Sequence, residues 1–388
     1  MADPDQPWPR LGVVVVTYAA AEFIAECLES LARTRYPDLH IVVADNASPD
    51  DTCASVRAFA AGTRAAETAD WPAEAQAEPA AKPLPLSEAR PGEAPIPAPG
   101  QGMALTLLET GDNLGFAGGV NAGLRVLYAD AGCDLFWVLN PDTVVAPDAP
   151  FALARRAGEV GRFSVIGART LLLEAPERLH TDGGRYRRWM GFAKSVNLGM
   201  PAAEATMPEP TSLDYVSGVS MLASRAFLER AGPMDESWFL YHEEIDWQLR
   251  RADLPLVLAP EARLWHRAGA SIGSASVARA AAPFSVYFQY RNHLRFARRW
   301  APGWLISVYV FAWVQLLRRY GRPATWGQLS AALRGLHRLP PPAAVRARLP
   351  ERVWARVFSP PMVPEPWPEP APPIASARIR DPGSARPS

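Results

Sequence analysis

The chain has 388 residues, with 40 lysines and arginines balanced by 40 aspartates and glutamates. Zero formal charge excludes a general electrostatic pull toward nucleic acid or acidic partners, and the length supplies core for one large domain or two ordinary ones. Cys27, Cys53 and Cys133, an odd set without C-x-x-C spacing, argue against a disulfide framework and a zinc–thiolate site and fit a reducing compartment.

The acidic start, Met1 to Asp5, lacks an apolar signal core, so residues 1–10 read as a disordered leader and the protein is expected in the cytoplasm. Leu11 to Thr17 is a β-branched run that predicts a strand buried on both faces. Phe23, Ile24, Cys27, Leu28 and Leu31 then fall at helical spacing within 19–33, and Ile41 to Ala44 predicts a second strand ending at Asp45-Asn46. This is a β-α-β unit with a right-handed crossover. From about Thr63 to Gln101 the chain turns Ala-, Pro- and Glu-rich without apolar periodicity, which predicts a disordered insertion. Met103 to Leu108 predicts a third strand. The apolar run Leu135 to Leu139 predicts another, stopped by Asn140-Pro141-Asp142-Thr143.

Two strands thus deliver a carboxylate to their carboxyl ends, Asp45 and Asp142, where open α/β sheets bind ligands. Asp45 suits a hydrogen bond from a base or ribose, though an Asx turn or helix N-cap explains it as well, and turn chemistry equally explains Asp142. After the third strand, Asn113-Leu114-Gly115-Phe116-Ala117-Gly118-Gly119-Val120-Asn121-Ala122-Gly123 fits either a backbone cradle for a diphosphate or a tight helix–sheet contact. The first β-α turn, Thr17-Tyr18-Ala19-Ala20, has no G-x-G-x-x-G and no Gly- and Lys-bearing loop, which weakens nicotinamide-binding and sugar-nucleotidyltransferase readings. Further on, Glu243, Glu244 and Asp246 lie among Trp238, Phe239, Tyr241 and Trp247. Such surroundings raise a carboxylate's pKa toward general-base use, while Asp246 with Arg250 makes an ordinary i, i+4 pair. His266, followed by Gly269 and Ser271, could serve beside a carboxylate as a site for Mn²⁺.

In order, V-V-T-Y (15–18), D-N-A-S (45–48), N-L-G-F-A-G-G-V-N-x-G (113–123) and L-N-P-D-T (139–143) are followed by S-G-V-S-M-L (217–222) and M-D-E-S-W-F-L-Y-H-E-E-I-D-W (234–247). W-H-R-A-G-A-S (265–271) and Y-R-N-H (290–293) complete a set that resembles the family 2 inverting glycosyltransferases of the GT-A fold, in particular the bacterial rhamnosyltransferase-like members. The resemblance implies an α/β domain over 11–300 with a mostly parallel, Rossmann-like central sheet flanked by helices. It implies a UDP- or dTDP-sugar donor, a glycan or lipid-linked acceptor, and a divalent metal (Mn²⁺ or Mg²⁺). Carried onto this chain, Thr17, Tyr18 and Asp45 would contact the nucleotide, with Asn113, Gly115, Phe116, Gly118, Gly119, Asn121 and Asn140 also on the donor side. Asp142 and His266 would hold the metal, and Glu244, or its neighbour Glu243, would be the catalytic base. Asn140 replaces the first acid of the family's D-x-D-type motif, and Glu243-Glu244 replaces its usual Glu-Asp pair. A non-catalytic sugar-nucleotide scaffold would have lost these acids.

Residues 301–340 predict a C-terminal helical extension, in which Trp304 to Leu317 is apolar, aromatic and flanked by arginines. It is too short to span a bilayer and reads equally as an interfacial membrane helix or as a packing or homo-oligomer helix. In the former case Arg291 suits an anion contact. Residues 341–388 read as a Pro-rich flexible tail.

Overall fold

The computed structural model describes residues 8–93, 96–98, 100, 102–267, 281–320, 325–359 and 366–369. β1 (Arg10–Thr17) is buried throughout, as its β-branched run requires. α1 (Ile24–Arg33) begins later than the spacing suggests. The backbone N–H groups of Ala19, Ala20 and Ala21 donate instead to the side chains of Ser48, Thr52 and Asp50, which draws this turn away from the helix. β2 (Asp38–Asp45) pairs parallel with β1, placing Thr17 opposite Asp45. α2 (Thr52–Ala61), β3 (Leu86–Ala89), β4 (Gly102–Glu109), α3 (Gly115–Tyr128) and β5 (Cys133–Leu139) follow.

Next come β6 (Thr143–Val145), α4 (Ala149–Val160), β7 (Val165–Leu172), β8 (Ala175–Thr181) and a separate hairpin of β9 (Gly184–Arg187) and β10 (Phe192–Ser195). β11 (Ser220–Ser224), α5 (Arg225–Ala231), α6 (Glu243–Leu249) and β12 (Val257–His266) close the sheet domain. The sheet runs β3-β4-β2-β1-β5-β11-β7-β12-β6, with β8 beside β7. β11 is antiparallel to both of its neighbours, whereas the β3 to β5 block and the β7–β12 pair are parallel. This is the mostly parallel α/β sheet expected of the GT-A class. Alternate residues feed two cores: Val13, Val15, Trp137 and Leu139 lie on one face, and Val14, Val16, Phe136 and Val138 on the other.

The topology decides what meets at one edge. β1, β2, β4, β5 and β12 all end there. Antiparallel β11 starts there, so the Ser217–Val219 turn joins them.

The segment 63–101, expected to be disordered, packs onto the domain over its described residues. Trp71 is buried under the Arg33 guanidinium, Lys82 lies over the Phe59 ring and bonds Glu29, and β3 extends the sheet beside β4. A few anchors suffice because prolines reduce the entropy that ordering removes. At the other end, α7 (Pro283–Trp300) falls within the bounds expected for the sheet domain, and α8 (Leu305–Tyr320) and α9 (Trp326–Leu336) are helices within 301–340. The flexible tail is corrected over 343–358. There α10 (Ala343–Arg346) and α11 (Glu351–Phe358) bury Val345, Val353, Trp354 and Val357, and Trp354 stacks on Phe288. Trp8 to Arg10, expected in the leader, are ordered too, with Trp8 packed on Phe151 and Arg10 paired with Asp38 and Asp130.

Candidate active site

An acid and a histidine stand where strand ends place them. Asp142 lies one residue before β6, and His266 is the last residue of β12, paired across the ladder with Thr143. That register brings His266 Nε2 to 3.2 Å from Asp142 Oδ1, with both side chains buried. A carboxylate oxygen and an imidazole nitrogen so placed form a donor pair suited to Mn²⁺ or Mg²⁺. Among the described residues no group of three or more His, Cys, Asp or Glu could hold an ion. Phosphate oxygens and water would therefore have to complete its shell, as is usual for such ions. The rest of the Trp265–Ser271 motif, Ala268 to Ser271, lies outside the described residues.

Motif reading missed His180. Its ring sits 4.8 Å from that of His266, and Nδ1 of each is buried without a hydrogen-bond partner among the described residues. Burial, aided by His266, pushes the His180 imidazole down to about 4, so it is neutral at physiological pH. Its only signal in the sequence is a histidine in an otherwise ordinary strand.

Asp45 is 2% exposed, and its carboxylate is already engaged. Thr17 Oγ1 donates to it at 2.9 Å and the Ser48 N–H at 3.0 Å, so Thr17 orients Asp45, and the Asx-type turn is present. Tyr18 is exposed at the rim.

The glycine run makes close packing contacts. A Cβ on Gly119 would lie 2.5 Å from Val16 Cγ1, and one on Gly123 2.5 Å from Val14 Cγ1. Gly118 is packed against Leu114 and Glu236. Gly115, at φ +71°, leaves no room for a Cβ beside the Phe239 carbonyl. Asn113 Oδ1 accepts from Gly115 N–H, and Phe116 N–H donates to Phe239 O. Asn121 is wholly buried: it donates to Met234 O and Glu236 and accepts from Met234 N–H. Asn121 thus spends its side chain on helix–loop bonds in place of the expected donor contact, while the space where Gly118 and Gly119 lack a side chain is taken by helix–loop and helix–sheet packing. The loop held in this way is the one that leads to Glu243 and Glu244.

In that loop Phe239, Tyr241 and His242 all have positive φ, at +65°, +71° and +76°. Backbone this unfavourable for side-chain-bearing residues persists only when surroundings impose it. Asn292, from α7, supplies the constraint: its Nδ2 donates to the carbonyls of Trp238, Leu240 and Tyr241 at 3.0, 2.7 and 3.1 Å. The strained turn starts α6 at Glu243. Gln248, one turn on, brackets Val216 through N–H and C=O at 2.8 and 2.9 Å. α6 is thereby registered against the Ser217–Val219 turn, and Glu244 lies over Gly218, where a Cβ would stand 3.3 Å from Glu244 Cγ. The same turn accepts Asn140 N–H at Val219 O, 3.0 Å, so the segment carrying Asp142 and the helix carrying Glu244 border one turn.

The two glutamates differ. Glu243 is buried with Oε2 unbonded among the described residues, and desolvation, reinforced by the charge of Glu244, raises its carboxyl well above the usual range. Glu244 is half-buried, and desolvation raises its carboxyl too. Asp246 is buried among Arg250, Arg299 and Trp300, which includes the expected i, i+4 pair. Arg291 is no anion contact. Its guanidinium is buried and donates to Ser237 O, Asn292 Oδ1 and Val357 O, tying α7 to the loop before α6 and to α11.

A mostly parallel α/β sheet thus brings a carboxylate–imidazole pair and a partly exposed glutamate to one edge. Residues 12–67 match the model of the family described as "Glycosyl transferase family 2". The chain is 25% identical over 288 residues (68% of this chain, 78% of the relative) to the N-acetylglucosaminyl-diphospho-decaprenol L-rhamnosyltransferase of Mycobacterium tuberculosis. It is 27% identical over 146 residues to the low-salt glycan biosynthesis hexosyltransferase Agl10 of Haloferax volcanii, a match spanning only 45% of that protein. Among solved structures it is similar to S. aureus TarS 1-349, at TM-score 0.46 and 14% identity over 90% of this chain and 83% of the other.

Proposed function

We propose that the chain is an inverting glycosyltransferase that moves a sugar, with rhamnose the first candidate, from a UDP- or dTDP-sugar to a glycan or polyprenyl-diphosphate-linked acceptor in cell-envelope polysaccharide synthesis. The observation that carries this reading is the shared turn: Ser217–Val219 is bordered by the Asn140–Asp142 segment and by Glu244. The mycobacterial relative, by its name a rhamnosyltransferase acting on a diphospho-decaprenol, supports the choice of sugar and acceptor.

In this reading Glu244, which is half-buried and packed on Gly218, takes the proton from an acceptor hydroxyl. That oxygen bonds to the anomeric carbon as the bond to the diphosphate breaks, and attack from the opposite side inverts the configuration. A raised carboxyl suits this task because it accepts a proton readily. Glu243, buried and with its carboxyl raised well above the usual range by desolvation, supports α6 rather than meeting substrate. Asp142 and His266 are the residues that would hold a divalent ion, which when bound neutralises charge on the leaving diphosphate. Asp45, braced by Thr17, is the donor-side acceptor for a base N–H. The protein would work at the inner face of the cell membrane, where a lipid-linked acceptor is available.

A donor screen against a lipid-linked disaccharide acceptor, read by mass, tests this. Transfer of one sugar that Asp142→Ala or Glu244→Ala abolishes is expected. Undiminished turnover in both variants would remove the mechanism.

A further inference from the structure

α8 is apolar on two opposite faces. Val308, Ala312, Leu316 and Tyr320 form its buried side. The opposite side carries Ile306, Val310, Val314 and Leu317 at i, i+4, i+8 and i+11, and these are 83%, 56%, 43% and 62% exposed. A helix apolar all round is normally covered all round, and this second stripe has no cover among the described residues. Trp304, half exposed, begins the stripe. The tip of the β9–β10 hairpin adds Trp189, also half exposed, whose ring meets that of Phe311 on α8.

Charge identifies the occupant. The whole chain is neutral, yet no aspartate or glutamate occurs between Glu261 and Glu351, a stretch rich in arginine. Arg298 precedes the stripe, Arg318 and Arg319 follow it, and Arg187 and Arg188 precede Trp189; all are exposed. An apolar strip edged by tryptophan and arginine suits a surface that is apolar inside and anionic outside. A second copy fits poorly, since two such faces would bring like charges together. No described helix is long and apolar enough to cross a membrane, and α8, 16 residues and about 24 Å long, is suited to lying in the interface plane.

We propose that the Ile306–Leu317 stripe, with Trp189 and Trp304, is a docking surface for an anionic lipid bilayer. This deepens the proposed function and rests on it for the lipid-linked acceptor, though not for the binding itself. The docking face is mechanically joined to the base. Gly191, in the hairpin turn, packs on Val308 of α8 and His293 of α7, and α7 holds the base loop through Asn292. A bilayer bound to α8 therefore fixes the height of Glu244 above the lipid headgroups.

The test is co-sedimentation of the full chain with phosphatidylcholine vesicles, with and without phosphatidylglycerol. Binding to the anionic vesicles, weakened by salt, is expected. The triple variant I306E/V310E/L317E should bind about tenfold or more weakly, since three aliphatic groups would no longer leave water, and should melt at the parental temperature. R318Q/R319Q should lose preference for anionic over neutral vesicles. Unchanged binding of the triple variant overturns the proposal. So does a parental dimer that the triple variant converts to monomer while neither binds vesicles, because the stripe is then a protein interface. Transfer to a short-chain, water-soluble acceptor is measured on the same samples. Vesicle binding without transfer rejects the glycosyltransferase reading alone, and transfer without vesicle binding rejects the docking surface alone.

Discussion

Gly123→Ala separates the two uses that a glycine-rich helix start can have. The new Cβ would stand 2.5 Å from Val14 Cγ1 and 3.1 Å from Cγ2, on the fully buried central strand β1. Val14 is β-branched and stiff at χ1, so it yields only by shifting backbone or rotamer. Overpacking of this kind costs about 1–3 kcal/mol, against which replacing a helical glycine by alanine returns about 1 kcal/mol. A net loss of about 1 kcal/mol is expected. Val14→Ala opens the space, so in a double-mutant cycle by urea denaturation the pair should be less destabilised than the sum of the singles, by about 1–2 kcal/mol. Titration with UDP or dTDP should give a dissociation constant within about twofold of the parent's in every folded variant, a factor worth well under 1 kcal/mol. Additive stabilities combined with lost nucleotide binding would refute the packing role and restore the diphosphate cradle.

Glu243→Gln should flatten the pH dependence of stability. The folded chain holds a proton on this carboxyl above the pH at which the unfolded chain has released it, so stability falls as pH climbs from the ordinary carboxylate range through the raised folded-state value. The glutamine variant lacks that fall, and equal slopes in the two denaturation series would contradict the assignment. Asn292→Ala removes three donated hydrogen bonds from a strained loop. It should cost about 1–3 kcal/mol in denaturation midpoint and lower kcat more than it raises donor KM; an unchanged kcat would show that the loop is self-supporting. Asp142→Asn should weaken Mn²⁺ binding, followed by electron paramagnetic resonance, by about tenfold or more, since even outer-shell changes reach that size. Unaltered titration would remove Asp142 from the metal site.

Much of the frame was legible because strand burial and strand ends leave periodic and punctuated signatures. The runs Leu11–Thr17 and Leu135–Leu139 could only be strands buried on both faces, and Pro141 marked where the second must stop. Asp142 and His266 could be named from motifs, but their proximity depends on the Thr143–His266 register, a long-range pairing with no local trace. The glycine run stayed ambiguous because a cradle and a tight contact ask for the same residue. Asn121 and Arg291 were misjudged for a related reason: a polar side chain gives no sign of whether it faces a ligand or bonds buried carbonyls. The Ala- and Pro-rich segment hid Trp71 and β3, and the prolines around α10 and α11 hid Val353, Trp354 and Val357, because a few widely spaced anchors produce little periodicity.

The most direct test of the site is Glu244→Gln, assayed for sugar transfer and, on the same sample, for donor affinity. Glutamine keeps the shape packed on Gly218 and removes the base. Transfer should fall by about 10²–10⁴-fold with donor dissociation constant and melting temperature unchanged. Transfer at the parental rate would contradict the assignment of Glu244 and with it the catalytic reading of this edge of the sheet.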